Sequence, residues 1–151
     1  MYQSIQGNLG LGKAIEYFTS HNIPIAIPLN DTQKYDLIAD MDGELKRISV
    51  KTGRGTRTNG ASYAVMLRNT GGSSGNYKNR PFDNMACDYV FCVIGDNRCF
   101  LIPAKDITAT NTIAIGTKYT EYEVKSKTLN EYDNEMRQKS AGTEMAITAL
   151  P

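Results

Sequence analysis

Two alternating runs meet at Asp42-Gly43 in the stretch YDLIADMDGELKRISVKTGRG, residues 35 to 55, and no other feature constrains the fold as tightly. An Asp-Gly pair between alternating runs is a strong hairpin signal. Both turn positions need left-handed backbone, which glycine adopts freely and aspartate tolerates. The pattern predicts a strand over 35–40, a turn at Met41-Asp42-Gly43 and a strand over 44–52. Side chains alternate along a strand. Leu45, Arg47, Ser49 and Lys51 therefore share one face, Lys46, Ile48, Val50 and Thr52 the other, and Asp36 aligns with Ile38 and Asp40. Asp36 stands seven residues before Gly43 and Lys51 eight after it, so antiparallel pairing about the turn predicts that the two lie near each other.

The rest of the chain supplies elements to surround this hairpin. Leu11, Ile15 and Phe18, with Ala14 beside them, give a helix over 9–21 one apolar face. Gly7, Gly10 and Gly12 crowd its start, and Asn22 and Pro24 end it. Strands are expected over 24–28, 62–67, 88–94, 98–102 and 112–115, the pair around Gly95-Asp96-Asn97 forming a second hairpin. Pro103 opens a short helical turn through Ile107. Residues 69–81, rich in Gly, Ser and Asn, read as a long loop of the kind that often carries function. Thr128 and Glu131 mark a capping box for a helix over 128–138. This outline is an α/β or α+β domain: one helix, a mixed sheet of about five strands, and more helix late. A length of 151 residues predicts one domain. Its core is expected over 1–116, with a functional loop at 53–81, and a polar C-terminal helical extension over 117–151.

Composition removes several classes of function. The chain contains no apolar run of membrane-spanning length. Its first residues, MYQSIQGNLG, do not read as a signal peptide, so a cytoplasmic protein is expected. Cys87, Cys92 and Cys99 form no CxxC pair and fall in or beside apolar strands, where free cysteine acts as a small hydrophobe. The lone histidine, His21, reads as a capping or surface group at the helix end. Net charge is only +1, yet Leu45 to Phe82 holds no acidic residue and eight basic ones: Lys46, Arg47, Lys51, Arg54, Arg57, Arg68, Lys78 and Arg80. Such a local basic surface on a near-neutral chain suits a polyanion, and the bland alternative is a solvated loop.

An aspartate beside a lysine in a sheet has two readings. One is a structural ion pair. The other is a hydrolytic site, in which Asp36 and the backbone carbonyl of Val50 hold Mg²⁺ while Lys51 orients or deprotonates a water and stabilises charge in the transition state. Ser49, on the same face as Lys51, is the neighbouring candidate, and Asp31 is an auxiliary ligand candidate in the preceding loop.

The ordered set of a glycine-flanked helix, a strand ending in Pro, an Asp, and a hairpin strand closing on Lys-Thr resembles the PD-(D/E)XK nucleases. Across GNLGLGKAIEYFTSHNIPIAIPLNDTQKYDLIADMDGELKRISVKTGRG and CDYVFCVIGDNRCFLIPAKDI, roughly residues 5 to 107, it is similar to the branch holding a cyanobacterial group I intron-encoded homing endonuclease. The resemblance implies a restriction-endonuclease-like core and metal-dependent, sequence-specific cleavage of double-stranded DNA. It also implies Mg²⁺, or Mn²⁺ in its place, and a homo-oligomer, a tetramer. Asp36 and Lys51 match its motif. Leu11 occupies the position of the usual glutamate, and Glu16 points elsewhere on the helix. Ser49 occupies a position that usually carries Glu, Asp or Gln.

Arg54 and Arg57 leave the catalytic strand directly, toward phosphates flanking the cut. Arg68, Lys78, Asn79 and Arg80 border the Gly/Ser loop and are candidates for DNA contact, as are Asn69, Asn76, Lys46 and Arg47. A junction resolvase or restriction-type nuclease shares the expected fold. Leu11 and Ser49 keep open a catalytically impaired DNA-binding protein.

Overall fold

The computed structural model describes residues 2–30, 32–56, 62–68 and 80–149. Its elements in chain order are α1 (Tyr2–Ser20), β1 (Ile25–Ala26), β2 (Leu37–Met41), β3 (Glu44–Thr56), β4 (Tyr63–Met66), β5 (Tyr89–Val93), β6 (Cys99–Pro103), β7 (Thr112–Ile115), β8 (Glu123–Val124) and α2 (Leu129–Thr148). Short 3₁₀ turns at Ala104–Asp106 and Thr120–Tyr122 complete it. The mixed α+β class is as expected, but the described residues form eight strands rather than about five. Only β8, a two-residue edge paired with β6, falls outside the stretches expected as strands.

β3 is the axis of the sheet, which runs β1-β2-β3-β5-β6-β8. Its first part lies between antiparallel β2 and parallel β5, in register from Ile48↔Tyr89 to Thr52↔Val93. At Gly53 it changes partner and takes β4, which in turn pairs β7. A Cβ on Gly53 would stand 2.8 Å from the Ala64 carbonyl oxygen, so only glycine lets β4 approach this closely. This handover carries the strand past the expected end at 52 to Thr56, through a bulge at Gly55, whose φ is +72°.

The Asp42-Gly43 hairpin forms as predicted. Both residues have positive φ (56° and 83°), and Met41 pairs directly with Glu44. The register is one residue tighter than the sequence count. Carried past Leu37↔Ile48, it sets Asp36 across from Ser49, with Lys51 two places further along the same face.

The sheet has a core on each side. On one face Ala14 and Phe18 of α1 pack on Leu37, Ala39, Ile48 and Phe91. On the other, Val90, Cys92, Phe100 and Ile102 meet Val65, Leu67, Ile107, Ile113 and Ile115. The helix begins at Tyr2, not at residue 9. Glycine inside a helix costs about 1 kcal/mol. Gly10 is nevertheless required where α1 crosses β3, because a Cβ there would stand 2.5 Å from Thr52 Cγ2. Asn22 ends the helix with φ 55° in a Schellman motif, the Ile23 amide donating to Phe18 O and the Asn22 amide to Thr19 O.

The C-terminal part first joins the sheet through β8 and then straps to the end of α1. The Lys127 amide donates to Ser20 Oγ, and His21 Nε2 lies 2.8 Å from Lys125 O. The Thr128–Glu131 capping box is present, and α2 runs ten residues beyond the expected end at 138 with no residue buried. Among the described residues no helix is long and apolar enough to cross a membrane.

Candidate active site

The site lies where β2 stops and β3 continues. Asp36, just before β2, donates its amide to Ile48 O at 2.8 Å. Its side chain then takes over from the missing strand: Oδ2 accepts the Val50 amide at 2.6 Å. The carbonyl of Val50 belongs to the same edge of β3 as its amide. No β2 residue pairs opposite it, because the β2–β3 ladder ends at Leu37↔Ile48. An exposed carboxylate and a strand carbonyl thus share one edge, which is a suitable pair of hard oxygen donors for a divalent ion.

Lys51 and Ser49 face the side of the sheet opposite α1. In the parallel register with β5 they stand beside Cys92 and Val90. Burial pushes the Lys51 amine below its ordinary value, and the carboxylate of Asp36 works against that shift. Ser49 is buried, only 3% exposed. Burial raises the Cys87 thiol to about 11, with the cations of Arg47 and Lys51 opposing the shift, and raises Cys92 to about 12. Both thiols are therefore protonated near neutral pH and act as small core groups, as their setting in the sequence implied.

Leu11 is half-buried against the α1-side core and offers the site no polar group. Among the described residues no group of three His, Cys, Asp or Glu converges.

The basic residues divide by environment. Arg47 is braced against Asp88 at the surface. Its amide and Nε both donate to Asp88 Oδ2 (2.7 and 3.3 Å), and Nη2 reaches Met85 O. Partial burial lifts the Asp88 carboxyl, and the bonds from Arg47 outweigh it, leaving it below the usual carboxylate range. This brace was not foreseen, although Asp88 opens the quoted CDYVFCV strand. Lys46 is paired with Glu44 and Arg68 donates from Nε to Asn111 Oδ1 at 2.6 Å. Arg54 and Arg80 are exposed, Arg54 beside the bulge just beyond Lys51. Arg57, Asn69, Asn76, Lys78, Asn79 and Asp31 lie outside the described residues.

A mixed sheet whose central hairpin brings a carboxylate and a half-buried lysine to one strand edge defines a nuclease-type core. The family profile of PD-(D/E)XK endonucleases matches residues 1–141, and the chain belongs to that family. Its fold is similar to that of a solved bacterial homing endonuclease, I-Ssp6803I, with 20% sequence identity and a TM-score of 0.66, over 93% of this chain and 97% of that one. No curated relative matches in sequence. Enzymes of this family generally use divalent metal ions and act on DNA.

Proposed function

We propose that this chain is a sequence-specific endonuclease of the homing type that hydrolyses double-stranded DNA with Mg²⁺, with Mn²⁺ as a substitute. The observation that carries this reading is the Asp36–Val50 contact at the end of β2, with Lys51 half-buried two residues along the same face from Ser49. The two donors fit a hard cation, with Asp36 and the Val50 carbonyl as its protein ligands. A bound ion would supply positive charge to a phosphoryl oxygen and acidify a water. Burial favours the neutral form of Lys51: as the free amine Nζ can accept a proton from the attacking water, and as the ammonium it donates a hydrogen bond to the crowded phosphate oxygens. Ser49 has no carboxylate and lines the strand without binding the ion.

The acid-free window, continuing past Lys51 into Arg54, Arg57, Arg68, Lys78, Asn79 and Arg80, forms the DNA-facing surface in this reading. Lys46 and Arg47 lie at the start of this window, paired with Glu44 and Asp88. The chain acts as a homo-oligomer, a tetramer by its resemblance. The extension beyond residue 116, α2 above all, is available as interface because none of its residues is buried.

The test is supercoiled plasmid incubated with Mg²⁺ or Mn²⁺, beside duplex binding in Ca²⁺. The expected result is discrete linear products at few sites, absent in Lys51→Ala while that variant binds duplex within several-fold of the native protein. Plasmid left intact by every divalent metal while binding persists would identify a DNA-binding protein, and preference for branched DNA a resolvase. In the same binding assay, Arg57→Ala lowers the salt slope by about one phosphate contact.

A further inference from the structure

Arg68 is held differently from Lys46 and Arg47. Those two each meet a carboxylate, which offsets their charge. The Nε of Arg68 donates instead to Asn111 Oδ1 at 2.6 Å, and a neutral amide leaves the charge whole. A guanidinium only donates, so the atom facing it is the amide oxygen. The bond takes one of the five N–H groups and fixes the plane of the fork, whose far end carries the other four on Nη1 and Nη2. Asn111 is itself well anchored. Its main-chain carbonyl accepts the Leu67 amide at 2.8 Å, and the Thr110 carbonyl beside it accepts the Phe82 amide at 2.8 Å. The corner at Thr110-Asn111 thus holds the chain at both Leu67 and Phe82.

The sheet sets the direction of the fork. Val65 and Leu67 enter the core, so Ala64, Met66 and Arg68 take the opposite face by alternation. Arg54 pairs with Ala64 and Thr112 with Met66, and cross-strand partners share a face. The result is an outward shelf around Met66, which is 55% exposed, with an arginine towards either end. Ala64 and Arg68 are four strand positions apart, about 13 Å, close to the ~12 Å width of the major groove. A phosphate offers oxygens on several sides and tolerates a mobile cation. A guanine edge is stricter, since its O6 and N7 take both Nη groups in one plane. Resting on the nuclease reading, we infer that Asn111 is a positioning residue for DNA recognition, its amide oxygen holding Arg68 so that the Nη end reads the O6 and N7 of a guanine in the major groove. Fixing the side chain before DNA arrives also lowers the entropy lost on binding.

The test is selection of bound duplexes from a random-sequence library by the full chain in Ca²⁺, with the bound pool sequenced. It is run for the native protein, Arg68→Lys, Asn111→Ala and Asn111→Asp. Asn111 is exposed, and its main-chain bond to Leu67 survives any side-chain change, so these variants keep the fold. The expected native pool has a G·C pair fixed at a position where Arg68→Lys and Asn111→Ala become indifferent. Asn111→Asp, which keeps the acceptor oxygen, restores the preference. On the selected duplex, affinity falls about tenfold in Arg68→Lys or Asn111→Ala and no further in the double variant, while the salt slope of both stays native. An Asn111→Ala pool matching the native one overturns the inference, as do additive losses in the double variant. Uniform weakening over all sequences also overturns it, by making Arg68 a phosphate anchor. A native chain that cleaves plasmid but selects no base overturns this inference and leaves the nuclease chemistry standing. A native chain that binds no duplex overturns the nuclease reading and this inference with it.

Discussion

Asp36 Oδ2 accepts the main-chain amide of Val50 at 2.6 Å, extending the β2–β3 ladder with a side chain where β2 itself has ended. The carboxylate therefore has a structural task besides any part in hydrolysis. The two tasks separate by substitution. Asp36→Asn keeps an acceptor for Val50 and loses the charge, so it should abolish cleavage while leaving the melting temperature near native. Asp36→Ala loses both and should also cost about 1.5–3 kcal/mol, the usual range for a hydrogen bond to a charged group. Thermal unfolding of both variants beside a plasmid assay checks this. Equal destabilisation by the two would show that the Val50 contact contributes nothing to the fold.

Lys51 presents the opposite balance. Burial lowers its pKa, so folding acts against its charged form. Above the folded pKa the native state sheds a proton that the unfolded chain keeps, and stability therefore rises with pH until the ordinary value of 10.5 is passed. Replacing the amine by an isosteric apolar chain removes this penalty. Lys51→Met should be more stable than the native protein by about 1 kcal/mol at neutral pH, with the gap closing as pH approaches 10.5, and it should not cleave DNA. Denaturant unfolding across that pH range measures the gap. A variant less stable than native at pH 7 would mean that Lys51 earns its place by ion pairing.

The hairpin and both candidate residues were legible because each rests on local chemistry: a two-residue turn, strict alternation, and a lysine at the end of an apolar strand. What escaped depends on contacts distant in sequence. The helix α1 begins seven residues before its expected start at residue 9. β3 continues beyond Thr52 because β4, across a loop, takes over at Gly53. Arg47 reads as a free cation in sequence, and its partner Asp88 is 41 residues away. The register slip between Asp36 and Lys51 has a local cause. Placing the centre of the turn on Gly43 overcounts by one, since the turn is Asp42-Gly43 and pairing starts at Met41↔Glu44.

Gly10 and Gly7 lie on one helix in unlike surroundings, and the same substitution should act on them with opposite sign. A Cβ on Gly10 would come to 2.5 Å from Thr52 Cγ2 and 3.3 Å from Val50 Cγ1. Relieving this clash moves α1 off the strand that carries the site. Overpacking of this kind costs about 1–3 kcal/mol, more than the helix propensity gained. Gly7 has nothing within 4 Å of its missing Cβ, so Gly7→Ala should stabilise by about 0.5–1 kcal/mol. Chemical denaturation of the two variants decides. Cleavage should fall in Gly10→Ala and stay native in Gly7→Ala, because Val50 and Thr52 flank Lys51.

At the other end of the chain, Glu135 holds the start of α2 to the strap that precedes it. Bonds from Lys127 and Lys139, the latter at 3.0 Å, lower its pKa to about 2 from the ordinary 4.5. A carboxylate whose folded pKa is depressed adds stability that is fully present above the unfolded value and is lost as pH falls through the folded one. The helix stands clear of the core, with no residue buried, so this local anchoring has few packing contacts to mask it. The native protein should lose amide-exchange protection in the first turns of α2 between pH 4.5 and 2. Glu135→Gln should begin less protected and lose less over the same window, the remaining loss coming from the Glu131 carboxylate of the capping box, whose pKa its bonds with Thr128 also lower. Parallel profiles for the two proteins would show that the Lys127–Glu135–Lys139 bonds do not hold the helix, leaving the Thr128–Glu131 capping box as its only anchor among the described contacts.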